Sequence, residues 1–202
     1  HVSECVDLGV TTLDTAAAYG GGQAETLLGA ALALNPALRD QVQIVTKCSI
    51  GTWGTSLYHY DTSEAHILWS VDQSLTKLGT DRIDLLLIHR PDPLMDADEV
   101  AGAFTALRQS GKVVHFGVSN FTPSQFELLA SRLDFPLVTN EVQFSVMCLD
   151  TWYDGTLDLC QKLRISPLVW GPLGGGHLFT DNTDRIVRLR ATIEEIGATL
   201  NA

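Results

Sequence analysis

Four residues in the first half of the chain have the chemistry to deliver a proton to a carbonyl oxygen: Asp14, Tyr19, Lys47 and His89. A tyrosine phenol has an ordinary pKa of about 10, too high for efficient proton exchange at neutral pH. A neighbouring ammonium favours the phenolate and brings that value down. A carboxylate beside the lysine keeps it charged and in place, and a histidine can orient a substrate oxygen. Together the four make a proton relay suited to reducing a carbonyl. They contain no source of electrons, so a bound hydride-carrying cofactor has to supply them.

These residues stand where short strand-forming runs stop. Val10–Leu13, Val42–Thr46, Ile83–Ile88, Val113–Val118, Leu137–Val142 and Ile165–Trp170 read as strands. They end in turn at Asp14, Lys47, His89, Ser119-Asn120, Asn140 to Gln143, and Trp170-Gly171-Pro172. The run Ile83–Ile88 is apolar on both faces after Asp84, as a parallel strand covered on both sides must be.

Between the runs lie helices with legible starts. Asp61 with Glu64, Asp96 with Glu99, and Thr122 with Pro123 and Gln125 read as N-cap devices, while Gly79 and Gly111 mark ends. Val2–Leu8 reads as a helix before the first strand, and Ile186, Leu189, Ile193 and Ile196 mark a last one. Strict alternation implies a parallel sheet, either open and doubly wound or closed as a (β/α)8 barrel. No G-x-G-x-x-G follows the first strand, which weighs against the dinucleotide-binding open sheet. In a barrel, chemistry gathers at the C-terminal strand ends, where all six runs here carry hydrogen-bonding, ionisable or aromatic groups.

Composition narrows the function further. The 202 residues hold 13 Lys+Arg against 24 Asp+Glu, a net charge of −11, so nucleic acid and anionic membrane are disfavoured as partners. No apolar stretch is long enough for a spanning helix. The cysteines, Cys5, Cys48, Cys148 and Cys160, have no C-x-x-C spacing and read as reduced thiols in a cytoplasmic protein, Cys48 as a small buried one. His59, His66 and His115 lack metal-ligand spacing, so no metal is expected, and His115 reads as a packing residue. Gly20-Gly21-Gly22 reads as a connection and not a phosphate cradle. The segment Ser49–Tyr60, with Trp53, Tyr58 and Tyr60, reads either as the lip of a substrate mouth or as a surface loop.

From about Cys5 to Leu178 the chain resembles the aldo-keto reductases. Gly9-Val10-Thr11-Thr12-Leu13-Asp14-Thr15-Ala16 with Tyr19-Gly20 is similar to that family's G-x-x-x-x-D-T-A-x-x-Y-G segment, and Glu25 and Gly29 to the E-x-x-x-G after it. Leu78-Gly79-Thr80-Asp81-Arg82-Ile83-Asp84-Leu85 to His89 resembles its L-G-x-D-x-I-D-L-x-x-x-H stretch. Gly111-Lys112-Val113 to Gly117-Val118-Ser119-Asn120-Phe121 resembles its G-K-x-x-x-x-G-V-S-N-F signature.

The resemblance implies a TIM-type (β/α)8 barrel that is incomplete here, with six strands corresponding to the family's second to seventh. Residues 1–202 would form a single barrel domain truncated at both ends, lacking the first and eighth strands. It implies reduction of a small aldehyde or ketone by hydride from a nicotinamide cofactor, NADP (as NADPH), with NAD not excluded. Tyr19 would be the general acid, Lys47 would lower its pKa, Asp14 would pair with Lys47, and His89 would position the carbonyl. Ser119, Asn120 and Gln143 would hydrogen-bond the nicotinamide carboxamide, and Trp170 would stack on its ring. Gly171, Pro172, Leu173, Gly174 and Gly175 would approach its phosphates. Arg90 departs from the pattern, since many members carry an aromatic residue after the histidine. Two rival functions are a nicotinamide-binding regulatory or redox-sensing subunit with little turnover, and an aldolase-like barrel using Lys47 for a Schiff base.

Overall fold

The structure, a computed structural model, describes residues 1–51 and 59–200. In chain order its elements are α1 (Val2–Asp7), β1 (Thr12–Asp14), α2 (Ala24–Leu34), β2 (Gln43–Cys48), β3 (Ile50–Gly51) and β4 (His59–Tyr60). Then come α3 (Glu64–Leu78), β5 (Ile83–Ile88), α4 (Ala97–Gln109), β6 (Val113–Ser119), α5 (Pro123–Ala130) and β7 (Asn140–Gln143). The last are α6 (Asp150–Tyr153), α7 (Thr156–Leu163), β8 (Leu168–Trp170), α8 (His177–Thr180) and α9 (Asp184–Leu200). Six strands pair in parallel in the order β1-β2-β5-β6-β7-β8 and curl into part of a barrel wall, with β1 and β8 at its edges. The incomplete (β/α)8 architecture that the family resemblance implies is the one observed.

β5 lies inside the sheet between β2 and β6, as its two-sided apolar run requires. Ile67 and Val71 of α3 and Val100, Phe104 and Leu107 of α4 are buried with Ile83, Leu86 and Ile88 in the main core. The rings of Phe104 and Phe116 lie 4.5 Å apart and those of Phe116 and Phe135 5.3 Å apart. A second cluster, Leu32, Leu38, Val42, Ile44 and Leu78, seats α2 on the β2 side. Asp84 is tolerated in the run because its carboxylate accepts from the Ile44 N–H at 2.8 Å and pairs with Arg39 at 2.8 Å.

Several expected boundaries move, each for a local reason. β7 begins at Asn140 instead of Leu137, although the Val138 N–H still reaches the Phe116 carbonyl at 2.8 Å. β8 begins at Leu168: Arg164 adopts a left-handed conformation after α7, and Pro167 has no N–H for the ladder. Ser63, not Asp61, caps α3, accepting from the His66 N–H at 3.3 Å, while Asp61 accepts from the Ser63 N–H at 2.9 Å. Asp96 caps α4 as expected, but Glu99 reaches across to the Glu64 N–H at 3.2 Å instead of closing a box. The Thr122–Gln125 capping box is complete.

The short antiparallel pair β3–β4 lies in the segment read as a substrate lip or a surface loop; Trp53 and Tyr58 fall outside the described residues, and Tyr60 is exposed. His115, expected to be packed, is exposed on β6. Among the described residues no helix is long and apolar enough to cross a membrane.

Candidate active site

Lys47 is among the largest fully buried side chains of the described residues, an unusual place for an ammonium. It sits next to the end of β2, and it is compensated. Its Nζ donates to both carboxylate oxygens of Asp14, at 2.5 and 2.6 Å, and to the Thr15 carbonyl at 3.2 Å. A second carboxylate, Glu141 of β7, stands 3.3 Å away. Burial works against the ammonium. The hydrogen bond and charge of Asp14, with Glu141 and Tyr19, outweigh it and hold Lys47 above its ordinary pKa.

Backbone hydrogen bonds carry the ladders past the strand ends and place the rest. The Thr15 N–H donates to the Val45 carbonyl at 2.9 Å and the Ala17 N–H to that of Lys47 at 3.1 Å. They deliver the chain into the tight turn Tyr19–Gly22, where Gly20 and Gly21 have φ of 59° and 64°. Tyr19 lands with its ring centroid 5.0 Å from Lys47 Nζ and 5.4 Å from the His89 ring, which meets it edge-on. The His89 N–H is held by the Cys48 carbonyl at 3.0 Å.

Burial first, then the charges of Lys47 and Arg90, push the His89 imidazole down to about 4, so it is neutral at pH 7. Its Nδ1 is buried without a hydrogen-bond partner.

Across the sheet a polar chain runs from β6 to β8. Trp170 Nε1 donates to Asn120 Oδ1 at 2.9 Å, Asn120 Nδ2 to Ser119 Oγ at 2.8 Å, and Ser119 Oγ to the Glu141 carbonyl at 3.0 Å. Asn120 holds a left-handed backbone, φ 60°, and this chain of bonds keeps it there.

Tyr19, His89, Arg90, Ser119, Asn120, Glu141 and Trp170 line one cleft of about 210 Å³, with Lys47 beneath it. Of the expected site residues, Asp14, Tyr19, Lys47, His89, Ser119, Asn120 and Trp170 thus come together. Gln143 does not join them; it lines an adjoining cavity of about 210 Å³ that shares Arg90, Asn120 and Trp170 with the first. Gly171, Pro172, Leu173, Gly174 and Gly175 follow Trp170 in the chain and line neither. The Gly174 backbone packs so closely on Met147 that an added Cβ would stand 2.5 Å from its sulfur.

Reading the sequence missed Glu141 as a member of the cleft. The signal was present, since residues 141 and 143 of a strand share a face and the nearer one faces Lys47. Burial and the Asp14 charge push the Glu141 carboxyl up, against the pull of Lys47 and Arg90. Cys48, one residue past Lys47, is buried as expected, and burial pushes its thiol up to about 12.

Over residues 1–192 the chain matches the family model described as Aldo/keto reductase family. It is 54% identical over 204 residues to Oxidoreductase YdhF of Escherichia coli (strain K12), covering 100% of this chain and 68% of that protein. It is 49% identical over 184 residues to a 6-dehydroglucose reductase of Agrobacterium fabrum, covering 89% of this chain and 62% of the relative. Among solved structures, the thermostable aldo-keto reductase Tm1743 superimposes with a TM-score of 0.84 at 29% identity, over 100% of this chain and 67% of its own. The curled parallel sheet, the contents of its C-terminal cleft and these likenesses agree: the chain belongs to the aldo/keto reductase family of NAD(P)H-dependent oxidoreductases.

Proposed function

We propose that this chain reduces the carbonyl of a small aldehyde or ketone to an alcohol, with Tyr19 as the general acid and NADPH as the cofactor. The observation that carries the reading is the convergence of Tyr19, Lys47 and His89 around one cleft, with the lysine clamped by Asp14. Neutral His89 keeps one ring N–H to donate to a carbonyl oxygen, holding it beside the phenol. As that oxygen gains negative charge, the Tyr19 hydroxyl gives up its proton to it. The buried ammonium of Lys47 then stabilises the phenolate left behind, more strongly than it would in water. Asp14 keeps the ammonium charged and aimed.

The residues of the cleft also fit a nicotinamide ring. Trp170 offers a flat indole, and Ser119 and Asn120 offer hydroxyl and amide groups, while Glu141 Oε2 lies buried beside them, 3.3 Å from Lys47 Nζ. Ser119, Asn120 and Trp170 would hold the ring, with Gln143 reaching from the adjoining cavity. The run Gly171, Pro172, Leu173, Gly174 and Gly175 would lie toward the phosphates, where positive φ at Gly171, Gly174 and Gly175 and the lack of side chains there permit a close backbone approach. When bound, NADPH supplies the hydride. A Schiff-base role for Lys47 is disfavoured, because two carboxylates hold its amine in the charged, non-nucleophilic form.

The test is NADPH consumption in the presence of simple aldehydes. Tyr19→Phe is expected to lower kcat by about 10²–10⁴-fold, the usual weight of a general acid. Turnover by Tyr19→Phe at the wild-type rate would overturn the assignment. Replacing NADPH by NADH in the same assay reads the cofactor preference.

A further inference from the structure

Among the described residues, Arg90 has no ion pair although it lines the cleft, whereas the other arginines without one are the exposed Arg164, Arg185 and Arg188 and the carbonyl-bound Arg190. Every lysine, and every arginine before Arg164 other than Arg90, has a carboxylate within 4.0 Å. Arg90 has none among the described residues, in a protein carrying 24 Asp+Glu against 13 Lys+Arg. Nor is it an idle surface group. It is half-buried, lines the cleft beside Tyr19 and His89, and holds its guanidinium over the Trp170 ring at 5.4 Å from the centroid.

The two carboxylates nearest the cleft, Asp14 and Glu141, are already engaged by Lys47, at 2.5 and 3.3 Å. Asp150 and Asp154 line the adjoining cavity and come no nearer than the ion-pair limit. The backbone beside it is tied down on one side, where the His89 N–H donates to the Cys48 carbonyl at 3.0 Å, and Pro91 on the other disfavours a helical backbone at Arg90. A planar donor fork is thus held in place, partly shielded from water and without a counter-ion, next to the histidine that faces the substrate carbonyl.

We propose that Arg90 is a specificity-determining residue that binds an anionic group on the substrate, so that this site prefers carbonyl compounds bearing a carboxylate or phosphate. The assignment rests on the reductase reading above and gives that reading a substrate class. A carboxylate a few bonds from the carbonyl accepts two parallel N–H bonds from the guanidinium while its carbonyl oxygen lies against His89 and Tyr19. Such a charged pair in a half-buried cleft corresponds to a factor of ~10–100 in kcat/KM. The anion sits in the reacting cleft itself, which distinguishes this role from a grip on a cofactor phosphate.

The experiment compares succinic semialdehyde with its neutral counterpart 4-oxobutanamide, using NADPH and the full chain. The wild-type protein is expected to favour the acid by ~10-fold or more in kcat/KM, mainly through KM, with the preference shrinking as ionic strength rises. In Arg90→Gln the acid-to-amide ratio is expected to fall to about one, and in Arg90→Lys to an intermediate value. Any effect of the substitution on His89 or Trp170 is common to both substrates and cancels in the ratio.

A wild-type ratio near one, or a ratio unchanged in Arg90→Gln, overturns the assignment while leaving the reductase reading intact. A change confined to the KM for NADPH, equal for both aldehydes, would also overturn it. If Arg90→Gln fails to fold, the wild-type ratio and its salt dependence still decide. NADPH left unoxidised with both aldehydes would overturn the reductase reading and this one with it.

Discussion

Two buried groups at the cleft titrate in opposite senses. His89 is held neutral, its pKa pushed from 6.5 down to about 4, so between those values the unfolded chain binds the proton that the folded one refuses. Stability contributed by neutral His89 is complete above pH 6.5 and is lost as pH falls toward 4, by up to ~3 kcal/mol for a fully realised shift. Glu141 runs the other way. Its folded-state pKa is raised, so the folded chain takes up its proton first on acidification and part of the loss is offset. The expected outcome is a His89 imidazole that stays neutral to near pH 4 in NMR titration. Denaturant unfolding of His89→Gln is expected to depend less steeply on pH between 6.5 and 4 than that of wild type. A His89 resonance titrating near 6.5 would refute the burial argument. His89 was legible in the sequence because it follows a strand-like run. Glu141 was legible only as a residue sharing a strand face with Gln143; that its neighbour in space is a buried ammonium depends on how β7 pairs, which its own position does not reveal.

Between elements, the seating of α2 on α3 depends on one position. A Cβ on Gly29 would stand 2.2 Å from the Lys77 carbonyl oxygen and 2.9 Å from Leu78 backbone atoms, none of which can rotate away. Gly29→Ala is therefore expected to destabilise the fold by ~1–3 kcal/mol, more if the helices separate, lowering the melting temperature by several degrees. The same contact bears on the site. Glu25, one helical turn before Gly29, is buried, accepts from Thr46 Oγ1 at 2.7 Å and lies 3.6 Å from Lys77 Nζ. Thr46 immediately precedes Lys47, so loosening α2 disturbs the strand that carries the ammonium, and calorimetry together with residual turnover would register both effects. Helices were easier to read than strand starts for a physical reason. A helix announces itself with side-chain caps such as Thr122 and terminators such as Gly79, whereas the starts of β7 and β8 depend on which N–H groups find a ladder partner. That is settled by neighbours such as Phe116, distant in sequence, and by the missing donor of Pro167.

Across the whole molecule, backbone protection should follow position in the sheet. β5 is paired on both sides by long ladders and covered by α3 and α4, whereas β1 and β8 each have one partner and few buried residues. Amide hydrogen exchange is expected to be slowest in β5 and in the Phe116 stretch of β6, and fastest in β1, β8 and the largely exposed α9. Equal protection from edge to centre would contradict this arrangement. The alternation of elements made the parallel sheet legible in the sequence, and the two-sided apolar run placed Ile83–Ile88 inside it. The positions of Gln143 and of the loop after Trp170 were not legible, since they depend on how adjoining loops pack, as the seating of Gly174 on Met147 illustrates. The strand order has a further consequence. Because each strand of the main sheet pairs with the main-sheet strand before it in the chain, every ladder closes over only a few tens of residues. A nascent chain emerging amino end first meets each of these strands' earlier partner already synthesised, so this part of the wall can grow stave by stave during translation.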